Sequence, residues 1–300
     1  MPGLGGAMGR MRGYRMPAAG LLLLAGLSCS PTPSSANIFG QDDRRDIAIE
    51  DALSGVGTIV CEGTTRRPTA ALVTLKGVSS RADIIATVAH AFIGSNDRRL
   101  SACEFWPGAD PALAARIVYL ETGTLSPEGN WHNDWAVARL DRRLPESLSR
   151  LRPRMLDEKQ AEMKRARRAQ FLLAGHNGER GPLQISERCG PVAKAYSDLN
   201  GFDHRVFNHD CDMMPGWSGG PLILREDGID YLIAVNSTEV NAITHISGRP
   251  YNGRMNPNTA VRVDGRFHRT LERLLKSDAP GGTAFRCLVA SMGDAPALPC

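Results

Sequence analysis

The sequence predicts an all-β fold of two packed β-barrels joined by a polar crossover and closed by a C-terminal helix. Three observations predict it. Short runs rich in Val, Ile, Thr and Leu recur along the chain, with 31 Gly and 19 Pro to punctuate them, a pattern of strands and turns. One polar stretch, from Pro145 to Ala169, divides these runs into two groups. After the second group, Phe267 to Leu275 places its apolar residues at helical spacing.

In chain order, the first group contains Val56–Val60, Ala70–Leu75, Ile84–Val88, Ala114–Leu120 and Trp135–Leu140. The second half of the polar stretch (DEKQAEMKRARRAQ) lacks Gly and Pro and predicts a solvated linker helix. Strands resume with Gln170–Ala174, Leu183–Ser186, Val206–His209, Pro221–Leu224, Tyr231–Val235 and Ala260–Val263. The resulting organisation is an N-terminal barrel over 37–150, a linker over 151–169, a second barrel over 170–264 and a helix with its tail over 265–300.

Residues 1–36 read as an export signal. Arg10, Arg12 and Arg15 precede an apolar run from Pro17 to Leu27, which falls short of the roughly 18 residues of a membrane span. Two processing routes are open: cleavage after Ala36, or lipidation of Cys29 in a lipobox-like Leu27-Ser28-Cys29 with Gly26 before it. The protein is thus secreted or periplasmic, and associates with a membrane only if Cys29 is lipidated. Without Cys29, six cysteines remain, and an even set in an exported chain implies disulfides. No Cys-x-x-Cys pair is present, and His204, His209, Asp210 and Cys211 fit no common ligand spacing, so neither a metal nor any other cofactor is expected. The net charge is +4, and its arginine clusters lack interleaved aromatics, which excludes nucleic-acid binding.

Three segments carry chemistry. Pro215-Gly216-Trp217-Ser218-Gly219-Gly220 places a serine among glycines that allow the close backbone approach of an oxyanion hole. Ile84 to His90 is an apolar strand ending in a histidine, the base such a serine needs. Asn133-Asp134-Trp135 puts an aspartate at the start of another strand, where it can orient that histidine. His132, two residues before Asp134, is expected to point to the other side of that strand.

These segments resemble the three signatures of the chymotrypsin-like serine peptidases. Ile38 to Arg44 and Cys211-Asp212 are similar to the bacterial glutamyl-endopeptidase branch. The resemblance implies two antiparallel six-stranded barrels with the cleft between them. It implies His90, Asp134 and Ser218 as the triad, with the N–H groups of Gly216 and Ser218 as the oxyanion hole. It also implies a protein or peptide substrate cleaved by a monomer. Trp217 departs from the pattern, standing where animal enzymes carry the aspartate that captures a new N-terminus. Placement and resemblance together give the pairings Cys61–Cys103, Cys189–Cys211 and Cys287–Cys300. The specificity pocket is expected from Asp212, Asn236, Ser237, Thr238 and Glu239. Asn236 stands where the glutamyl endopeptidases carry a histidine, so acidic preference is not carried over, while Asp212, with the spacing of a pocket-floor aspartate, and Glu239 near the rim make Lys or Arg the expected preference.

Two other functions fit less well. A catalytically silent binding protein on the same scaffold needs a lost triad residue, and all three are present. An α/β-hydrolase needs its nucleophile on a strand-to-helix elbow, whereas Ser218 leads into a strand.

Overall fold

The computed structural model describes residues 37–47, 53–78, 82–94, 97–177, 181–193, 204–239, 252–253 and 256–277, with the side chain of Glu239 left aside. The predicted signal and the Cys287–Cys300 pair lie outside these residues.

A short strand β1 (Arg45–Asp46) precedes a closed barrel. The barrel is built from β2 (Val56–Cys61), β3 (Thr69–Val73), β4 (Ile84–Thr87), β5 (Cys103–Pro107), β6 (Ala115–Thr122) and β7 (Ala136–Leu140). Its strands run antiparallel in the order β2-β3-β4-β7-β6-β5, and β5 returns to β2. Every residue of β3 and β4 is buried, as their continuous apolar runs require of strands covered on both faces. The one strand of this barrel that composition does not announce is β5, a five-residue segment ending in proline.

The crossover carries β8 (Arg152–Pro153) and helix α1 (Glu158–Ala166). A capping box starts α1: Asp157 accepts from the Gln160 backbone N–H at 2.7 Å, and Gln160 accepts from that of Asp157 at 3.1 Å.

The second half is one nine-stranded sheet. It uses β9 (Gln170–His176), β10 (Leu183–Ser186), β11 (Pro191–Val192), β12 (Val206–His209), β13 (Pro221–Glu226), β14 (Ile229–Glu239) and β15 (Asn258–Arg262). Its path is β1-β10-β9-β13-β14-β15-β12-β11, with β8 beside β14. The expectation was a second closed six-stranded barrel. Among the described residues this path runs open from β1 to β11. A covalent link joins the two arms instead: Cys189, just past β10, is bonded to Cys211, just past β12. The first barrel holds the Cys61–Cys103 bond across the β2–β5 pair.

Helix α2 (Gly265–Lys276) buries Phe267, Leu271, Leu274 and Leu275, the apolar stripe seen in the sequence. Phe267 stacks on Trp135 with centroids 5.0 Å apart, so the helix closes over β7 beside the site. One continuous core joins the barrel, α2 and the inner residues Leu172, Ile223 and Val235 of the sheet. Among the described residues no helix is long and apolar enough to cross a membrane.

Candidate active site

The barrel and the sheet meet at a cleft of about 740 Å³ lined by His90, Asp134, Gly216, Ser218, Ser237 and Thr238, among others. Strand β4 delivers His90: the chain leaves the barrel at Thr87 and makes a 3-10 turn over Ala89–Ala91. A second 3-10 turn, Trp131–Asn133, delivers Asp134 ahead of β7. His132 therefore sits in a turn, not in the expected strand, and its ring meets that of Trp131 edge-on.

Asp134 is 2% exposed, and among the described residues its carboxylate is met by three hydrogen-bonding groups. His90 Nδ1 approaches Asp134 Oδ2 at 2.6 Å, and the His90 backbone N–H donates to Oδ1 at 2.9 Å. Ser237 Oγ donates to Oδ2 at 2.7 Å. Burial alone pushes this carboxyl up, but the His90 charge and these hydrogen bonds outweigh it and hold Asp134 below the usual carboxylate range. An acceptor-only carboxylate at Nδ1 fixes the ring proton there and leaves Nε2 as the basic nitrogen.

The loop bearing Ser218 is held from both sides. From the barrel, Thr69 N–H donates to the Ser218 carbonyl at 2.8 Å and Thr69 Oγ1 donates to the Gly216 carbonyl at 2.7 Å. From the sheet, Asn236 accepts from Gly219 N–H at 2.7 Å and donates from its own N–H to Gly220 at 2.8 Å. Gly219 has φ +83°, and a Cβ there would stand 2.1 Å from Thr87 Oγ1, so no other residue fits between loop and barrel. Trp217 is wholly buried against β9, where a Cβ on Gly175 would stand 2.3 Å from its ring. Among the described residues, the N–H groups of Gly216 and Ser218 meet no acceptor.

Two residues expected in the specificity pocket lie elsewhere. Asp212 does not line the cleft. It is 2% exposed and turned toward the N-terminal segment, accepting from the backbone N–H groups of Phe39 at 2.7 Å and Asp43 at 2.9 Å. Burial raises its carboxyl to about 6 against those donors, with the charges of Asp43 and Asp42 adding to the rise. So engaged, Asp212 lends no support to a Lys or Arg preference. Asn236 is also behind the cleft: its Nδ2 donates to the Trp217 carbonyl at 3.0 Å and its Oδ1 meets His209 Nε2 at 3.0 Å. Ser237 and Thr238 do line the cleft, and the side chain of Glu239 lies outside the described residues.

His209 is fully buried, and desolvation lowers it to about 4. Its Nδ1 accepts from the Cys211 N–H at 3.3 Å, so Nε2 carries the proton given to Asn236. Cys211, in its disulfide, offers no metal-binding thiolate.

Residues that the sequence did not single out complete the cleft, Arg66, Arg67, Trp131 and Thr259, and the buried Thr69 braces the serine loop behind it. The Thr64-Thr65-Arg66-Arg67-Pro68 segment lies in the connection between β2 and β3. Nothing local marked Thr69, whose partner Gly216 lies 147 positions away.

No protein-family model and no curated protein matches this sequence. Solved structures do. A Glu endopeptidase in complex with MPD aligns over 80% of this chain and 100% of its own, with a TM-score of 0.59 at 12% identity. The protease Anisep from Arthrobacter nicotinovorans aligns over 78% of this chain and 100% of its own, with a TM-score of 0.55 at 15% identity. The fold is chymotrypsin-like. At these identities the likeness establishes the architecture, and the chemistry rests on the residues in the cleft.

Proposed function

We propose that this chain is an exported serine endopeptidase with His90, Asp134 and Ser218 as its catalytic triad. The observation that carries this reading is the bonded set His90–Asp134–Ser237, which opens onto the same cleft as Ser218. In the proposed reaction, His90 Nε2 takes the proton of Ser218 Oγ as that oxygen attacks the substrate carbonyl. The N–H groups of Gly216 and Ser218 receive the negative charge that develops on the carbonyl oxygen. Collapse breaks the C–N bond, and the proton passes from His90 to the leaving amine, giving an acyl-enzyme. Water then repeats the sequence, and Ser218 regains its proton. Asp134 remains ionised throughout and holds the imidazole in its productive tautomer.

Two disulfides among the described residues support an oxidising compartment, reached through the signal read in residues 1–36. Mass analysis of the exported protein distinguishes a chain starting at Asn37 from one starting at a lipidated Cys29. For the activity, the test is labelling with a fluorophosphonate together with turnover of a peptide library. Ser218→Ala is expected to lose both while keeping its fold. Peptide turnover unchanged in purified Ser218→Ala protein overturns the assignment.

A further inference from the structure

Two guanidinium groups stand on one rim of the cleft without carboxylate partners. Arg66 and Arg67 line it from the loop between β2 and β3, and no carboxylate among the described residues meets either side chain. That loop braces itself. Thr64 Oγ1 accepts from the Arg66 N–H at 3.1 Å. One terminal nitrogen of Arg67, Nη1, donates to the carbonyls of Thr64 at 3.2 Å and Arg66 at 2.9 Å. The plane of Arg67 is thereby held while its other nitrogens stay available, which lowers the entropy lost on binding an anion.

The loop has a defined position relative to the chemistry. It runs directly into Thr69, which bonds the carbonyls of Gly216 and Ser218. The cleft is lined as well by Trp131, Asp134 and Ser237, and by Glu128. An extended peptide crossing Ser218 therefore meets two guanidinium groups, Arg66 and Arg67, and one exposed carboxylate, Glu128, besides the buried Asp134.

We propose that Arg66 and Arg67 form a subsite for a substrate carboxylate, on one flank of the cleaved bond. Peptides with Asp or Glu within about three residues of the bond on that flank are the favoured substrates. The subsite rests on the peptidase reading. Its chemistry is separate from the residue directly cleaved after, since neither arginine belongs to the strand that carries Ser237.

The experiment uses the wild-type enzyme and internally quenched peptides in which Glu, Gln and Lys are scanned over three positions on each side of one cleaved bond. Expected is a kcat/KM about three- to tenfold higher for Glu than for Gln on one flank only, shrinking as salt is raised toward 0.5 M, roughly. Arg66→Glu, whose side chain makes no bond within the loop, is expected to bring the Glu-to-Gln ratio to one or below and to favour Lys. Equal rates for Glu and Gln at every position, or a Glu preference untouched by salt and by Arg66→Glu, overturn the subsite while leaving the peptidase standing. Failure to cleave any peptide overturns the peptidase reading, and the subsite with it.

Discussion

The side-chain amide of Asn236 donates to the carbonyl of Trp217 at 3.0 Å, and that carbonyl belongs to the same peptide plane as the N–H of Ser218. A trans peptide points its C=O and N–H in opposite directions. Anchoring the one toward β14 thus aims the other away from it. His209 holds the amide of Asn236 in the required orientation by donating to its oxygen.

From this follows a prediction for Asn236→Leu. The Trp217 carbonyl keeps its bond from the Gly220 N–H at 2.9 Å and loses the one from Asn236, so the Ser218 N–H is loosened but not deleted, and kcat is expected to fall by about 10- to 100-fold, less than deletion of an oxyanion donor costs in general. KM should change little, because Asn236 does not line the cleft. His209→Gln retains a donor toward Asn236 and should keep most of the rate, whereas His209→Phe should not. Steady-state kinetics on the three variants decide it; equal kcat in all three refutes the anchoring role.

Asp134→Asn is expected to leave the fold intact and lower kcat by about 10⁴-fold, because an amide in that place favours the wrong imidazole tautomer. The depressed carboxyl also makes a stability prediction. A group ionised more readily in the folded chain contributes stability that is complete above the ordinary carboxylate range and is lost as pH falls through the folded value. Thermal melts of wild type and Asp134→Asn should therefore converge as the solution is acidified below that range.

For His209 the window is different. Burial lowers it from 6.5 to about 4, so the unfolded chain binds the extra proton first. Its contribution to stability is complete above pH 6.5 and is lost as pH falls toward 4. Urea titrations across that interval should show a slope in wild type that His209→Gln flattens.

Each disulfide closes a loop, of 42 residues for Cys61–Cys103 and 22 for Cys189–Cys211. Loop-closure entropy puts their contributions at about 4 and about 3 kcal/mol. Paired Cys→Ser replacements at 61 and 103 should cost more in urea unfolding than those at 189 and 211. The second pair should also reduce activity more, since Cys211 leads into the loop of Ser218. The opposite ranking in stability would count against the entropic account.

The longer strands other than β5, both helices and the three site segments were legible because each is encoded locally. An apolar run of β-branched residues, a helical stripe such as Phe267 to Leu275, or a serine set among glycines carries its signal within about a dozen positions. What escaped depends on where distant segments dock. Asp212 has the spacing of a pocket residue, but its direction is set by Phe39, 173 positions earlier, whose N–H it receives. Asn236 reads as a pocket residue from its neighbours Ser237 and Thr238, yet its side chain turns toward His209, and a bulge in the β14–β15 pairing between Asn236 and Thr238 breaks the alternation that would put those two on one face. The second sheet reads as a closed barrel because strand composition says nothing about whether the last pair zips.

Gly175 and Trp217 are packed so closely that neither can change alone without a cost. Any side chain at 175 intrudes on the indole, and a smaller residue at 217 leaves a void beneath the serine loop. A mutational path away from this pair must therefore pass through a crippled intermediate or take both steps at once. In a library randomised at the two positions and selected for activity, survivors should trade volume between them: larger at 175 only where smaller at 217. Such a pair is a lock on sequence drift, set one residue from the nucleophile.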